Sequence, residues 1–117
     1  IQDRYLGYMK SLMEHNIFVS SNYVLEDRGA DGLMKPIDLP VDMPTAFVCN
    51  CDGTAYQLID QLKKEGYRVP QDISVTGFDN SVYSEMSDPK ITTIEVNTEQ
   101  MSALAVETIL KKIENPA

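Results

Sequence analysis

Apolar residues recur at helical spacing in three stretches of the chain, residues 4–15, 54–65 and 98–114. In each stretch the apolar side chains return at intervals of three and four residues, which places them on one face of a helix. Asn16 and Gly66 follow the first two stretches, and both residue types favour the left-handed conformation that often ends a helix. The pattern therefore predicts three amphipathic helices.

The segments between these helices carry short apolar runs that are typical of strands. The runs lie at residues 17–19, 45–49 and 73–78, and residues 91–96 form a further extended stretch. Since strands and helices alternate along the chain, the pattern predicts an α/β fold with a mostly parallel sheet and right-handed crossovers.

Residues 20–44 do not fit this alternation. They show little periodicity and are interrupted by two glycines and three prolines: Gly29, Gly32, Pro36, Pro40 and Pro44. A loop of this length without any structure is uncommon inside a compact domain. We therefore expect a strand fragment or a short helix in this segment, at a place that the pattern does not fix.

The composition fits one folded domain. The chain has 117 residues, of which 43% are hydrophobic, enough to build a core and too many for a disordered segment. Acidic residues number 18 against 10 basic ones, so the net charge is −8. Because contacts to phosphates need clusters of Lys and Arg, we do not expect this chain to bind nucleic acid by itself. No apolar run approaches the roughly 20 residues of a membrane-spanning helix.

The two cysteines and the single histidine match no metal or redox motif. Cys49 and Cys51 are one residue apart, a spacing found neither in C-x-x-C motifs nor in zinc sites. We expect Cys49 to pack in the core, Cys51 to lie near its rim, and His15 to face solvent at a helix end. We therefore expect no metal and no cofactor. The free thiols favour a reducing, cytoplasmic compartment.

Two aspartates follow directly after predicted strands. Asp52 comes after the run at 45–49, and Asp79 comes after the run at 73–78. Ligands of open parallel sheets bind beyond the carboxyl ends of the strands, and two carboxylates there could accept hydrogen bonds from the hydroxyls of a sugar. Two alternatives stay open: Asp52 could be the N-cap of the following helix, and Asp79 could close a turn.

No pattern of residues indicates catalysis. The chain lacks the G-x-S-x-G, G-x-G-x-x-G and P-loop motifs, so we do not expect an enzyme. A small α/β enzyme or a response-regulator-like module remains an alternative. A receiver module, however, would need an acidic cluster near its first strand, and residues 17–20 contain none.

Three segments in fixed order resemble the LacI/GalR family of bacterial transcription regulators. They read PTAFVCNCDGTA at 44–55, GYRVPQDISVTGFDN at 66–80 and ITTI at 91–94. The sequence DRYLGY at 3–8 is similar to the Arg-x-x-Gly helix start of that family. The resemblance covers nearly the whole chain apart from residues 20–44.

The resemblance implies a three-layer α/β architecture with a parallel sheet, like that of periplasmic binding proteins. Residues 1–93 would form most of the C-terminal subdomain of a two-subdomain effector domain, and residues 94–117 would cross to the N-terminal subdomain. The chain opens without a methionine inside a helical pattern, so we expect a fragment that lacks the DNA-reading head. The apolar stripe of helix 98–114 would then have lost its partner, and we expect it to fold back or to pair with another chain.

The resemblance also implies which residues bind the effector. Arg4 would bind ligand hydroxyls or a carboxylate, and Asp52 and Asp79 would accept hydroxyls. Cys51 stands where the family has an asparagine, so a weak thiol replaces an amide in the expected pocket. That exchange argues against a conventional hexose specificity.

The implied function is effector sensing by a transcriptional regulator. A small molecule, with a sugar favoured, would bind in the cleft between subdomains and alter operator binding through the absent head. A homodimer is expected, with Tyr83 and Met86 in the loop after Asp79 as interface candidates; ordinary local packing is the alternative for both. The main rival function is a periplasmic sugar-binding protein of an ABC transporter.

Overall fold

The computed structural model describes residues 2–117 and contains both helices and parallel strands. All three long helices form where the apolar spacing predicts them. The elements are α1 (Gln2–Glu14), a single 3-10 turn (Ser21–Tyr23), β1 (Ala46–Val48), α2 (Asp52–Lys64), β2 (Ser74–Thr76), α3 (Val82–Met86) and α4 (Thr98–Glu114).

The two strands lie side by side in a parallel sheet. Ala46 pairs with Ser74 and Val48 pairs with Thr76, so the two carboxyl ends meet at the same edge. Beyond β2, the extended stretch 91–96 adds a parallel bridge between Thr76 and Thr92. The predicted α/β fold with a parallel sheet is confirmed.

The core lies between α2 and the sheet. The apolar residues of α2 recur at intervals of three and four, so they lie on one face of the helix. This face is buried against β2 and the segments that flank it. The buried apolar side chains are Ile37, Ala55, Leu58, Ile59, Leu62, Val69, Ile73, Val75 and Ile91. Gly66, with φ of 92°, follows α2 in the left-handed conformation and ends it as predicted.

The strand predicted at residues 17–19 does not form. The segment follows Asn16, whose φ of 54° ends α1 as expected, but it pairs with no other strand. A wide cleft separates Phe18 and Val19 from Phe47 and Val48 of β1, and Phe18 is 90% exposed. The apolar run is extended, but without a neighbour at hydrogen-bonding distance it does not become a strand.

Short elements appear where the sequence pattern was weak. Residues 20–44 hold the single 3-10 turn and an isolated antiparallel bridge between Arg28 and Met34, which confirms that short structure lies within this segment. Tyr83 and Met86 lie on the short helix α3, so their placement in a loop was wrong. Five residues are too few for helical periodicity to show in the sequence.

Helix α4 stands clear of the rest of the chain. Asn97 accepts a hydrogen bond from the amide of Gln100 at 2.9 Å, the expected cap, yet every residue from 98 to 117 is exposed. The expectation that α4 folds back onto this chain is therefore wrong, because the chain leads away from the core after residue 96. Pairing with another chain stays a prediction. No helix among residues 2–117 combines the length and the hydropathy needed to cross a bilayer.

Candidate functional site

The side chain of Arg4 links the loops that follow the two strands. Its Nη1 donates to the backbone carbonyl of Asn50 at 2.7 Å, just after β1. Its Nη2 donates to Oδ1 of Asp79 at 2.9 Å, just after β2. Because parallel strands bring their carboxyl ends together, one guanidinium on α1 reaches both loops.

Arg4 also stacks on an aromatic ring in the same place. Its guanidinium carbon lies 4.0 Å from the centre of the Phe78 ring, a cation–π distance. The side chains of Arg4 and Asp79 remain 36% and 38% exposed, so their free polar atoms can still be reached from solvent. The result is a fixed cation and carboxylate at the edge of the sheet.

Asp79 sits on an unusual backbone conformation. Its φ is 112° and that of Asn80 is 53°, both in the region that favours glycine. The amide of Asp79 donates to the carbonyl of Ile94 at 2.9 Å, and the amide of Asn80 donates to Oγ1 of Thr93 at 3.2 Å. The 91–96 segment thus holds the turn from one side. Non-glycine residues keep such backbone angles only where their surroundings fix them.

Asp52 is buried below this turn and has no exposed surface. Cys51 occupies the N-cap position of α2 and Asp52 is the first helical residue, so the alternative that Asp52 caps the helix is wrong. Its Oδ2 accepts a hydrogen bond from the amide of Ser81 at 2.7 Å. The structure therefore does not bring this carboxylate to the surface beside Arg4 and Asp79.

The two cysteines have different surroundings. Cys49 packs against the core, and burial, aided by the nearby Cys51 and Asp27, raises the pKa of its thiol to about 12. Cys51 is half-buried, and its Sγ lies 3.4 Å from Oγ1 of Thr54. Thr54 in turn donates to the carboxylate of Asp27, so residue 27 joins the rim of the sheet.

A large cleft opens beside Arg4. Its volume is about 1420 Å³, and it runs between α1 with the following segment on one side and β1 on the other. Arg4, Asn50 and Phe78 are among its lining residues. Of the predicted site residues Arg4 alone lines it, and Cys51, Asp52 and Asp79 are not among its lining residues.

The other predicted residues lie away from this cleft. Tyr83 is 44% exposed and its ring centre lies 5.6 Å from that of Tyr56, which is an ordinary local aromatic pair. Met86 is 61% exposed on the same short helix. His15 is exposed as expected, with Nδ1 at 2.8 Å from the carbonyl of Ser11. Within residues 2–117, no group of three or more His, Cys, Asp or Glu side chains could hold a metal ion.

Sequence reasoning assigned no binding role to three residues that the structure places at the site. Asn50 and Phe78 each stand next to a position that was predicted, one before Cys51 and one before Asp79. Their contacts with Arg4 come from α1, and no local pattern reports that packing. Asp27 lies in the segment without periodicity, so nothing in the sequence placed it near Thr54.

A family model and the sequences of known proteins both match this chain. A model described as "Periplasmic binding protein-like domain" matches residues 1–117. A transcriptional repressor, PurR of Glaesserella parasuis, is 31% identical over 115 residues, which are 95% of this chain and 34% of that protein. The arabinose metabolism transcriptional repressor of Geobacillus stearothermophilus is 30% identical over 120 residues, covering 96% of this chain and 33% of that protein. The chain thus spans about a third of the length of these relatives.

Solved structures agree on the fold. The LacI family transcriptional regulator from Lactobacillus casei with bound sucrose superposes with a TM-score of 0.72, at 24% identity over 94% of this chain and 42% of that one. At that identity the likeness shows the fold alone. The expected α/β fold of the periplasmic-binding-protein type is confirmed by this superposition and by the family model.

Proposed function

The chain belongs to the LacI-type transcriptional regulators with a periplasmic-binding-protein-like domain, and from this premise we propose that it forms half of an effector-binding pocket. The observation that carries the proposal is the contact of Arg4 with both strand-end loops. It creates a paired cation and carboxylate where ligands of such sheets bind. The relatives are named as transcriptional repressors, which supports a pocket that binds a ligand without catalysing a reaction.

Arg4 and Asp79 are the direct effector contacts in this proposal. Both remain about a third exposed, and together they offer donors and acceptors to one ligand. Cys51 lies on the rim of the pocket. Because its thiol is only a weak hydrogen-bond donor and acceptor, it disfavours ligands that need a strong polar contact at this position. Asp52 is buried, so its role is to support the loop and not to contact the effector.

The ligand class best suited to this pair is a sugar or another polyhydroxylated molecule. A carboxylate accepts hydrogen bonds from adjacent hydroxyls, and a guanidinium donates to their oxygens. One relative is named as an arabinose metabolism transcriptional repressor, which supports the same class.

In the complete protein, residues 1–93 form most of one subdomain and residues 94–117 begin the other. Helix α4 then packs its apolar side against that second subdomain, which supplies the partner that this chain lacks. An effector held between the subdomains favours one closure angle and shifts the population of open and closed forms.

The protein is a cytoplasmic homodimer in which this shift changes the spacing of two DNA-reading heads. Tyr83 and Met86 on α3 are candidates for the dimer interface.

Binding of DNA tests this function. The full-length protein, purified from the complete gene, is titrated against DNA from upstream of that gene, with a matched scrambled fragment as the control. We expect sequence-specific binding, and we expect at least one compound from a panel of sugars and nucleosides to change the DNA affinity. The Asp79→Asn variant should bind the DNA as the natural protein does and should no longer respond to the compound.

Two outcomes would contradict the proposal. One is a full-length protein that carries a secretion signal and binds sugars without binding DNA, which would indicate a transport protein instead. The other is a response to the compound that persists unchanged in Asp79→Asn, which would move the effector site away from the strand ends.

A further inference from the structure

Asp52 brackets the left-handed turn at residues 79–80 from both sides. Its backbone amide donates to the carbonyl of Phe78 at 3.0 Å, directly before the turn. Its carboxylate accepts from the amide of Ser81 at 2.7 Å, directly after the turn. A single buried residue of α2 is thus bonded to both neighbours of the two residues with positive φ.

The position of Gly77 provides an independent observation of the same contact. A Cβ at residue 77 would lie 2.2 Å from Oδ1 of Asp52 and 3.1 Å from its Cα. Gly77 does not have a positive φ, so its backbone conformation does not require glycine. The close approach of the Asp52 carboxylate does require it, because no other residue leaves room for that oxygen.

We propose that Asp52 is a positioning residue that fixes the 79–80 turn and so directs the Asp79 carboxylate toward Arg4. Because Gly77 has no side chain, the Asp52 carboxylate has room to reach the turn. Asp79 cannot keep a φ of 112° on its own preference, since that conformation is unfavourable for a residue with a side chain. The hydrogen bond between Ser81 and Asp52 restrains the turn on the side of α2. The hydrogen bonds to Ile94 and Thr93 restrain it on the side of the 91–96 segment. The importance of this restraint for binding rests on the effector site proposed above.

Arg4 provides a spectroscopic reporter of the turn. Its side chain lies over the Phe78 ring, so ring currents shift its proton resonances upfield while Asp79 and the Asn50 carbonyl hold it there. The experiment records these resonances in the full 117-residue chain and in Asp52→Ala, Asp52→Asn and Gly77→Ala. Ile59→Val is the matched control, because it weakens the buried face of the same helix without touching the turn.

We expect Asp52→Ala and Gly77→Ala to lose the upfield shift of Arg4. The first removes the carboxylate whose Oδ2 accepts from Ser81, and the second displaces that carboxylate by a clash with its Oδ1. Asp52→Asn should keep the shift, because its amide oxygen can still accept from Ser81. Adding Gly77→Ala to Asp52→Ala should have a smaller effect than Gly77→Ala alone, because the oxygen at 2.2 Å is gone and only the 3.1 Å contact with the Cα of residue 52 remains. Ile59→Val should keep the shift although it lowers stability.

The proposal is overturned if Asp52→Ala retains the Arg4 shift while losing stability like Ile59→Val, since Asp52 would then be a core residue only. Loss of the shift in Asp52→Asn would also overturn it, because the bond to Ser81 would not be what holds the turn. If Asp52→Ala does not fold, hydrogen exchange of the Ser81 amide in the natural chain decides. Slow exchange, comparable to the buried amides of α2, supports the bond, and rapid exchange overturns it. None of these readouts involves a ligand, so they succeed or fail independently of the effector proposal.

Discussion

Replacing Arg4 by alanine should detach α1 from the sheet edge. No residue of this helix is fully buried, and its apolar side chains are only partly covered. The hydrogen bonds of Arg4 to Asn50 and Asp79 are therefore the main specific link between α1 and the strand-end loops. A helix of 13 residues is marginal by itself in water, so loss of docking should also lower its helicity.

The size of the effect follows from three contacts. The part-exposed ion pair with Asp79 contributes on the order of 0.2–1 kcal/mol after solvent screening. The hydrogen bond to the Asn50 carbonyl contributes about 0.5–1.5 kcal/mol, and the stacking on Phe78 contributes about 0.5–1 kcal/mol at an exposed site. Since the three share one side chain, we expect a combined loss of about 2 kcal/mol, which corresponds to roughly a 30-fold change in the docking equilibrium.

Amide hydrogen exchange measures this equilibrium directly. Protection of the α1 amides should fall roughly 30-fold in Arg4→Ala, as the docking loss implies, while protection of α2 should stay the same. Lys10→Ala is the control on the same helix, because Lys10 reaches only Glu14 at 3.8 Å and both replacements give alanine. Equal protection of α1 in Arg4→Ala and Lys10→Ala would refute the reasoning.

Three further predictions follow from single side chains. Burial raises the pKa of the Cys49 thiol to about 12, so Cys49 should resist iodoacetamide at pH 8 in the folded chain and react after denaturation. Mass spectrometry reads the alkylation, and alkylation of Cys49 in the folded chain would contradict this. Hydrogen bonds from Arg68 lower the pKa of Asp72 from 3.8 to about 2, so the carboxylate stabilises the fold above pH 4 and this contribution disappears as the pH falls toward 2. Urea unfolding of Asp72→Asn should therefore depend less on pH in that window, and an unchanged slope would argue against the pair. Asn97→Ala should lower the helicity of α4 by circular dichroism, at a capping cost of about 1 kcal/mol, without shifting the unfolding midpoint of the core, because α4 is exposed throughout.

The parts of the fold that the sequence predicted are those with a long local period. Helices α1, α2 and α4 each repeat their apolar side chains over three or more turns, and their stop signals at Asn16 and Gly66 have the expected positive φ. The segment 17–19 shows the opposite case. A three-residue apolar run has no register of its own, so whether it becomes a strand depends on a neighbour that only the three-dimensional structure reveals.

The candidate site, like the fold, was predicted from the sequence only in part. The rule for parallel sheets placed Asp79 at the strand end, and the family resemblance supplied Arg4, which lies 75 residues away in sequence and 2.9 Å away in space. Neither argument could separate Asp52 from Asp79, because both aspartates follow a strand. Burial separates them, since Asp52 has no exposed surface and the side chain of Asp79 is 38% exposed.

The most direct test of the effector site is a thermal-shift screen of the full-length protein against sugars, nucleosides and phosphorylated metabolites. A ligand that binds only the folded state raises the melting temperature by mass action. Asp79→Asn is the informative variant, because asparagine has nearly the same shape, is among the non-glycine residues enriched at positive φ, and replaces the charged carboxylate by a neutral amide with one acceptor oxygen. Asp60→Asn is the control, since this exposed carboxylate pairs with Lys64 on α2, away from the site. The account predicts a compound that stabilises the natural protein and Asp60→Asn but not Asp79→Asn, and equal stabilisation of all three proteins would contradict it.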